Sequence, residues 1–373
     1  MVWVSSIGNL VAQVKTDTLS QKEAEKLQKM FDKELSRTKK TNTFKVLPVV
    51  YYTPETRLAM GLVGVYSFRF NKSDTVLPFS KITPSAIYTL NKQWMLSASY
   101  DLKFNKNWFA RGNFGYFIYP YFFAGIGNNH TGETLEWYGA KYPDFKTEVY
   151  RKLGNLPVHV GATYTYQNTT IDSILPNGLL DDSGVPGAQG SIISAVGIGL
   201  IYNTKDYLFS PTRGWYAELG FKLADKGIGA TFSDQIFTLD VRKYVPLSKK
   251  EDVLALQVYS KFHLGNIPFN LMPLLGGGNR MRGYREGVYR DRQMIIYQAE
   301  YRSRMFFKHF GFTVFGGLGG VGNDFEEVNT NYRYTAGAGL RFVPLPSERF
   351  TVRMDYAFGE RTQGFYIEVG QAF

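Results

Sequence analysis

The sequence predicts an all-β fold: a 16-stranded antiparallel transmembrane β-barrel with a short N-terminal amphipathic helix. Three observations carry that prediction. Apolar and polar residues alternate with period two over many short stretches, the signature of strands that separate two environments. No run of about 18 or more apolar residues exists to form a transmembrane helix. Aromatics make up 16% of the 373 residues, with 26 Tyr and 29 Phe, and Tyr leads where side chains straddle an apolar and a wet phase. The mean hydropathy of −0.22 looks soluble. Membrane barrels hide behind such averages because lipid-facing and lumen-facing residues alternate.

Residues 1–13 (MVWVSSIGNLVAQ) read either as a signal-peptide remnant cleaved near Ala12 or as a disordered start, and are left out of the fold. Residues 14–42 form a periplasmic segment whose stretch 19–40 is the one convincing helix. Ser20 and Glu23 have capping-box spacing, and Ala24, Leu27, Phe31 and Leu35 share one face. A lone helix of this length is marginal in water. It is therefore expected to pack on the barrel's periplasmic mouth or on the inner-leaflet surface.

Residues 43–373 form the barrel. The alternation is clearest at Leu96, Ala98, Tyr100 and Leu102 against Ser97, Ser99, Asp101 and Lys103. It recurs at Tyr297, Ala299 and Tyr301 against Gln298, Glu300 and Arg302, and at Val352, Met354 and Tyr356 against Arg353 and Asp355. Sixteen such segments begin near Phe44, Arg57, Phe79, Trp94, Asn107, Phe145, Leu156, Ile192, Trp215, Thr231, Val253, Gln293, Phe310, Tyr332, Phe350 and Gly364. Most reach the roughly 9–11 residues that a tilted membrane strand needs. Short turns alternate with long loops at 119–144, 169–190 and 265–292, all on one end of the barrel. Short periplasmic turns with long extracellular loops are the usual asymmetry, and an even strand number puts both termini in the periplasm.

Loop 265–292 is the most informative stretch. It holds Gly276-Gly277-Gly278 and ends its core in Met281-Arg282-Gly283-Tyr284, after an apolar run unsuited to a surface loop. The reading is a loop folded into the barrel interior and pinned there by Arg282; the alternative is an Arg282 that faces water.

Other function classes find little support. The net charge of +11 permits nucleic acid, anionic headgroups or acidic substrates, but no nucleic-acid module is visible. The charge is assigned to loops and lumen, with lipopolysaccharide phosphate as a candidate ligand. There is no cysteine, which excludes disulfides and thiolate chemistry. His130, His159, His263 and His309 stand at no ligand spacing, and no Gly-x-Ser-x-Gly elbow exists. Gly276–Gly278 lacks the lysine and following helix of a phosphate cradle. Neither an enzyme, a metal nor a cofactor is expected.

Four places resemble the bacterial surface antigen family, the outer-membrane assembly-barrel superfamily that includes Bam and Tam factors and two-partner secretion transporters. Met281-Arg282-Gly283-Tyr284 resembles its (V/L)RG(F/Y) motif, in the sixth extracellular connection. Tyr121 to Asn128, with Gly125, Gly127 and Asn128, is similar to its YGIGN segment. Ser210 to Tyr216, with Pro211 and Gly214, is similar to its PTRGWY turn. The final strand ends in an aromatic, Phe373, with Phe365, Ile367 and Val369 on the same face and Gln371 interrupting it. The resemblance implies a bacterial outer-membrane location and a loop arginine that pairs with acids on strands twelve and thirteen. Glu300 is then the candidate partner of Arg282. The family's Phe-x-Asp-x-Gly motif is matched by Phe315-Gly316-Gly317-Leu318-Gly319, with Gly317 in place of the aspartate, so Asp291 within the loop is a second candidate. The span between Gln13 and Thr43 is too short for a POTRA domain, which makes this a short, barrel-only member. The resemblance also implies a weak seam between first and last strands, to which Pro48, lacking a donor, and Gly364 and Gly370, packing poorly, would contribute. Two functions follow: a minimal or accessory assembly and insertion barrel, or a passive channel or structural barrel. Expected partners are outer-membrane lipids including lipopolysaccharide, an assembly complex or POTRA-bearing partner, or a second copy in a homo-oligomer.

Overall fold

The computed structural model describes residues 42–71, 77–128, 130, 132, 134–181, 184–207, 210–247, 252–345 and 350–373. The expected N-terminal segment and its helix at 19–40 lie outside the described residues.

Sixteen strands form one ring. They are β1 Asn42–Thr53, β2 Arg57–Phe68, β3 Ser80–Thr89, β4 Trp94–Lys103, β5 Trp108–Ile118, β6 Glu136–Lys152, β7 Val158–Ser173 and β8 Ser191–Asn203. They continue with β9 Gly214–Ala224, β10 Asp234–Pro246, β11 Val253–His263, β12 Gln293–Arg302, β13 Phe310–Gly322, β14 Arg333–Leu345, β15 Phe350–Gly359 and β16 Thr362–Val369. Each is antiparallel to its neighbours in sequence, and β1 meets β16 to close the ring.

The pleat sorts the side chains. Met60, Leu62, Tyr88, Trp94, Leu96, Phe114, Ile198, Leu219, Leu340 and Phe358 point outward and are exposed, as a lipid-facing band requires. The opposite parity points inward. Along β12 to β16 it brings Gln298, Glu300, Arg302, Thr313, Phe315, Arg341, Arg353, Asp355 and Tyr366 into a buried interior.

That interior is not hollow at the long-loop end. The connection 264–292 enters it, and Ile267, Phe269, Leu275 and Met281 join Phe122, Phe123, Ile296 and Val321 in the largest apolar cluster. A short 3-10 turn, Phe269–Leu271, and a two-residue ladder of Leu274–Leu275 with Tyr289–Arg290 give the loop its own frame.

Two expectations need correction. The sixth strand begins at Glu136, well before Phe145, and the seventh runs to Ser173, so the flanking loops shrink to 119–135 and 174–190. Residues Glu136, Tyr138 and Ala140 are buried, with the short strand Tyr121–Phe123 paired alongside. Protein therefore covers the inner face there, and the apolar-out, polar-in alternation that signals a strand is lost. The second correction is Phe373. Gly370, at φ +94°, turns the chain off the face shared by Phe365, Ile367 and Val369. Phe373 lies buried inside with Tyr244, Val253 and Ala255, and its carbonyl accepts from Arg302 Nη2 at 2.8 Å. Gln371 does not interrupt a lipid face; it bonds Arg341 and Ser210.

Leu340 stands on the outer face midway along β14. Leu340→Arg is expected to destabilise the barrel by about 2–4 kcal/mol in urea unfolding from lipid vesicles. An unchanged midpoint would mean that this face does not meet hydrocarbon.

Candidate functional site

The site is built around the place where the 264–292 loop touches the wall. Its backbone can come that close because Gly283 has φ +104° and no side chain. A Cβ there would lie 2.8 Å from the Phe358 carbonyl carbon of β15. The Gly283 N–H donates to the Tyr366 hydroxyl at 3.0 Å, and its carbonyl accepts from the Thr362 hydroxyl at 3.0 Å. Tyr284 caps the contact: its hydroxyl donates to the Tyr334 carbonyl at 2.9 Å and accepts the Glu360 N–H at 2.8 Å.

Just before these two anchors Arg282 projects into the buried interior. Nη2 donates to Glu300 Oε2 at 2.5 Å and Nη1 to Asp355 Oδ2 at 2.6 Å. The guanidinium lies 3.4 Å over the Phe315 ring. Charge-assisted bonds to two carboxylates with an aromatic floor use the planar fork in a way that a lysine cannot. Arg302 Nε reaches Glu300 Oε1 at 2.8 Å, Arg341 bonds Asp355, and Arg353 bonds Asp355 and Glu368. Arg353 also holds the loop, donating to the Gly278 carbonyl at 2.8 Å and to Asn279 Oδ1 at 2.7 Å. Four guanidinium groups thus share three carboxylates, so carboxylates are the scarce partner.

The segment 121–128 clasps the loop from the other side. Arg290 Nη2 donates to the Phe122 carbonyl at 2.8 Å, and the Gly127 N–H donates to the Arg290 carbonyl at 2.8 Å. Gly125 and Gly127, at φ +114° and +99°, make the bends that bring this segment in. Asn128 is buried, accepting Arg333 Nε at 2.9 Å on its side chain and Arg333 Nη2 at 2.5 Å on its carbonyl. A third contact joins the loop to the β1–β2 turn: the Glu286 N–H donates to Glu55 Oε1 at 2.7 Å. Burial and the neighbouring Glu55 carboxylate push the Glu286 carboxyl up to about 7, with Glu368 adding to the effect and Arg280 and Arg290 opposing it. Burial also raises Glu55.

The structure brings together Arg282, Gly283, Tyr284, Glu300 and Phe315. Gly319 joins them, since a Cβ there would meet Met281 Cγ at 3.3 Å, and Gly317 stands one inward position away on the same strand. Asp291 is not part of this cluster. Its Oδ1 accepts the Arg292 N–H at 2.7 Å, because the Tyr289–Arg290 ladder has already carried the chain back toward β12. Pro211 and Gly214 lie at the opposite, short-turn end, where Gly214 has φ +106°. Gly364 does not pack poorly: it faces the lumen opposite Ala357, and the Tyr366 ring fills the space a side chain would take. Pro48 is exposed, opposite Leu62 of β2. Sequence reasoning missed Asp355, Arg341 and Arg353 as members of the cluster. Only part of the signal was present: Arg353 and Asp355 are the polar face of an alternating strand, which turns them inward without saying what they meet. Among the described residues no group of three His, Asp or Glu side chains is arranged to hold a metal.

A closed β-barrel with a lipid-facing band and a connection bonded to its inner wall defines an outer-membrane barrel with an internal loop. The chain belongs to the Omp85 superfamily, whose domain matches residues 69–373. It is similar to BamA from Haemophilus ducreyi, in a crystal structure lacking POTRA domains 1–3, at 15% identity and TM-score 0.59, over 88% of this chain and 70% of that one. It is similar to CdiB from Acinetobacter baumannii at 10% identity and TM-score 0.57, over 88% of this chain and 59% of that one. CdiB from Escherichia coli matches at 11% identity and TM-score 0.56, over 87% and 62%. This chain therefore spans about three-fifths of either CdiB chain. No curated protein matches the sequence. The family places the chain among non-enzymatic outer-membrane barrels.

Two outcomes follow. Glu300→Gln leaves buried guanidinium groups short of a partner and is expected to cost about 3–5 kcal/mol. Arg282→Gln leaves both carboxylates still paired with other arginines and is expected to cost less, about 1–3 kcal/mol. Urea unfolding in lipid vesicles measures both, and the reverse order would contradict the shared-carboxylate arrangement. The second outcome concerns pH. Both Glu286 and Glu55 are held above the ordinary 4.5, so the docked loop is favoured by their protonated forms. That contribution is complete below about pH 4.5 and is lost as the pH rises through about 7. The thermal midpoint of the native chain is expected to fall across this window, and that of Glu286→Gln to fall less. Parallel curves for the two proteins would rule the pair out as the cause.

Proposed function

We propose that this chain is an insertion- or secretion-type barrel of the outer membrane that works through the seam between β1 and β16. The observation that carries the reading is the register there. Tyr52 opposite Ile367 is the one registered pair between these strands, whereas β1 pairs with β2 along its whole length and β15 with β16 from Val352 to Gly359. Among the described residues, β1 from Asn42 to Tyr51 thus presents an edge with no partner on β16. The inward turn at Gly370 contributes to this, since it removes the residues beyond Val369 from the ladder. An unpaired edge in hydrocarbon is costly and is a template for another extended chain.

In this reading the short turns and both chain ends face the periplasm and the long loops face outward. Arg282 acts as a latch, with Gly283 and Tyr284 bracing it. The loop's contact with Tyr366 of β16 transmits its position to the seam. Lipids of the outer membrane surround the barrel, and a POTRA-bearing partner, an assembly complex or a second copy supplies client recognition.

A passive channel is the second reading. The apolar cluster that the loop forms inside the barrel favours the first, because it obstructs a wide pore.

The chain has no cysteine, so a single engineered disulfide is unambiguous. Tyr52→Cys with Ile367→Cys locks the seam; Tyr356→Cys with Phe365→Cys locks the adjacent, fully paired β15–β16 ladder as a control. Oxidation is expected to abolish complementation of a strain that depends on this chain with the first pair and to leave it intact with the second. Full complementation with the seam locked would rule out gating. Steady large conductance of the native chain in planar bilayers would favour the channel.

A further inference from the structure

Four connections meet at the long-loop end around a cavity of about 300 Å³. Asn128 and His130 come from the 119–135 connection, Tyr289 from the internal loop, and Asn331 and Tyr332 from the connection before β14. Arg333 opens β14, and Glu360 and Arg361 form the turn between β15 and β16. The walls are fixed before any ligand arrives. Arg333 is held by Asn128 and, at 3.0 Å, by Glu360, and its guanidinium lies 3.7 Å over the Tyr289 ring. His130 stacks on the same ring at 5.0 Å and 22°. Asn128 in turn donates to the Asn331 carbonyl.

The lining has a particular chemistry. The flat face of Tyr332 suits the C–H face of a sugar ring, while amides and a carboxylate suit its hydroxyls. The charges do not cancel: Glu360 is engaged by Arg333, which leaves the Arg361 guanidinium as the excess cation. Burial, with Arg333 and Arg290 nearby, lowers His130. The volume is at the small end for ligand sites, about 300–1,000 Å³, which fits one ring with a small substituent and not a longer chain. The lining is too polar for an acyl group.

We propose that this cavity binds a phosphorylated sugar ring, with Arg361 taking the phosphate and Tyr332 bounding the ring. The ligand is either the headgroup of a surface glycolipid or a free sugar phosphate. The proposal does not depend on seam gating, because its test reads binding and not transport.

The full chain in detergent is titrated calorimetrically with N-acetylglucosamine 1-phosphate, N-acetylglucosamine and inorganic phosphate. Saturable binding tighter than about 1 mM is expected for the first alone. Arg361 has φ +57°, a backbone that asparagine tolerates. Arg361→Asn therefore removes the charge without straining the turn and is expected to weaken binding roughly tenfold or more. Tyr332→Ala, which leaves the turn untouched, is expected to weaken it as well. No saturable binding, equal binding of inorganic phosphate, or binding unchanged in both variants would overturn the proposal. Nanodiscs distinguish the two sources. If lipopolysaccharide in the disc blocks the added sugar phosphate, the glycolipid headgroup is the ligand. If the titration matches that in phospholipid discs, the ligand is the free sugar phosphate.

Discussion

The guanidinium of Arg282, shared between Glu300 and Asp355 in a space closed to water, is the interaction on which the interior of this barrel depends. A carboxylate at that depth needs a cation, and a cation needs a carboxylate. The loop that carries Arg282 therefore gives up two buried ion pairs when it leaves, while the arginines on β12, β14 and β15 stay paired with the three carboxylates. The glycine beside it and the tyrosine after it work to the same end, one by admitting the backbone to the wall and the other by bonding to it. Charge here specifies a position for the loop more than it adds stability.

The loop and the seam are not separate features. Gly283 bonds to the Tyr366 hydroxyl of β16, and Glu286 bonds to Glu55 in the turn that joins β1 to β2. The last strand and the turn at the end of the first are each touched by the same loop from inside. Where the ladder between them is short, these contacts supply part of the connection that backbone hydrogen bonds do not.

Much of the architecture was legible in the chain. Period-two alternation marked Tyr297 to Arg302 and Val352 to Tyr356 because each strand there separates lipid from a polar interior. It failed at Glu136 to Asp144, where the inner face is covered by protein and neither side is simply wet or dry. Glu300 was accessible to reasoning from its strand parity and the arginine motif. Asp355 was not, because parity says which way a residue points and not which of its neighbours across the ring it will meet. Phe373 misled for a related reason: it continues the apolar parity of Phe365, Ile367 and Val369. The left-handed turn at Gly370 that breaks this parity left only a glycine as its sign.

The charged cluster also bears on the order in which the molecule assembles. Arg282 and Asp355 are 73 residues apart, and Glu55 and Glu286 are 231 apart. Contacts of such separation form late, since the intervening chain must already be ordered before they return any free energy. Until β14 and β15 stand beside β12, the carboxylates and arginines have no common interior to enter and remain hydrated. Desolvation of the cluster thus waits until β12 to β15 stand together, and until then the charges that hold the loop stay in water.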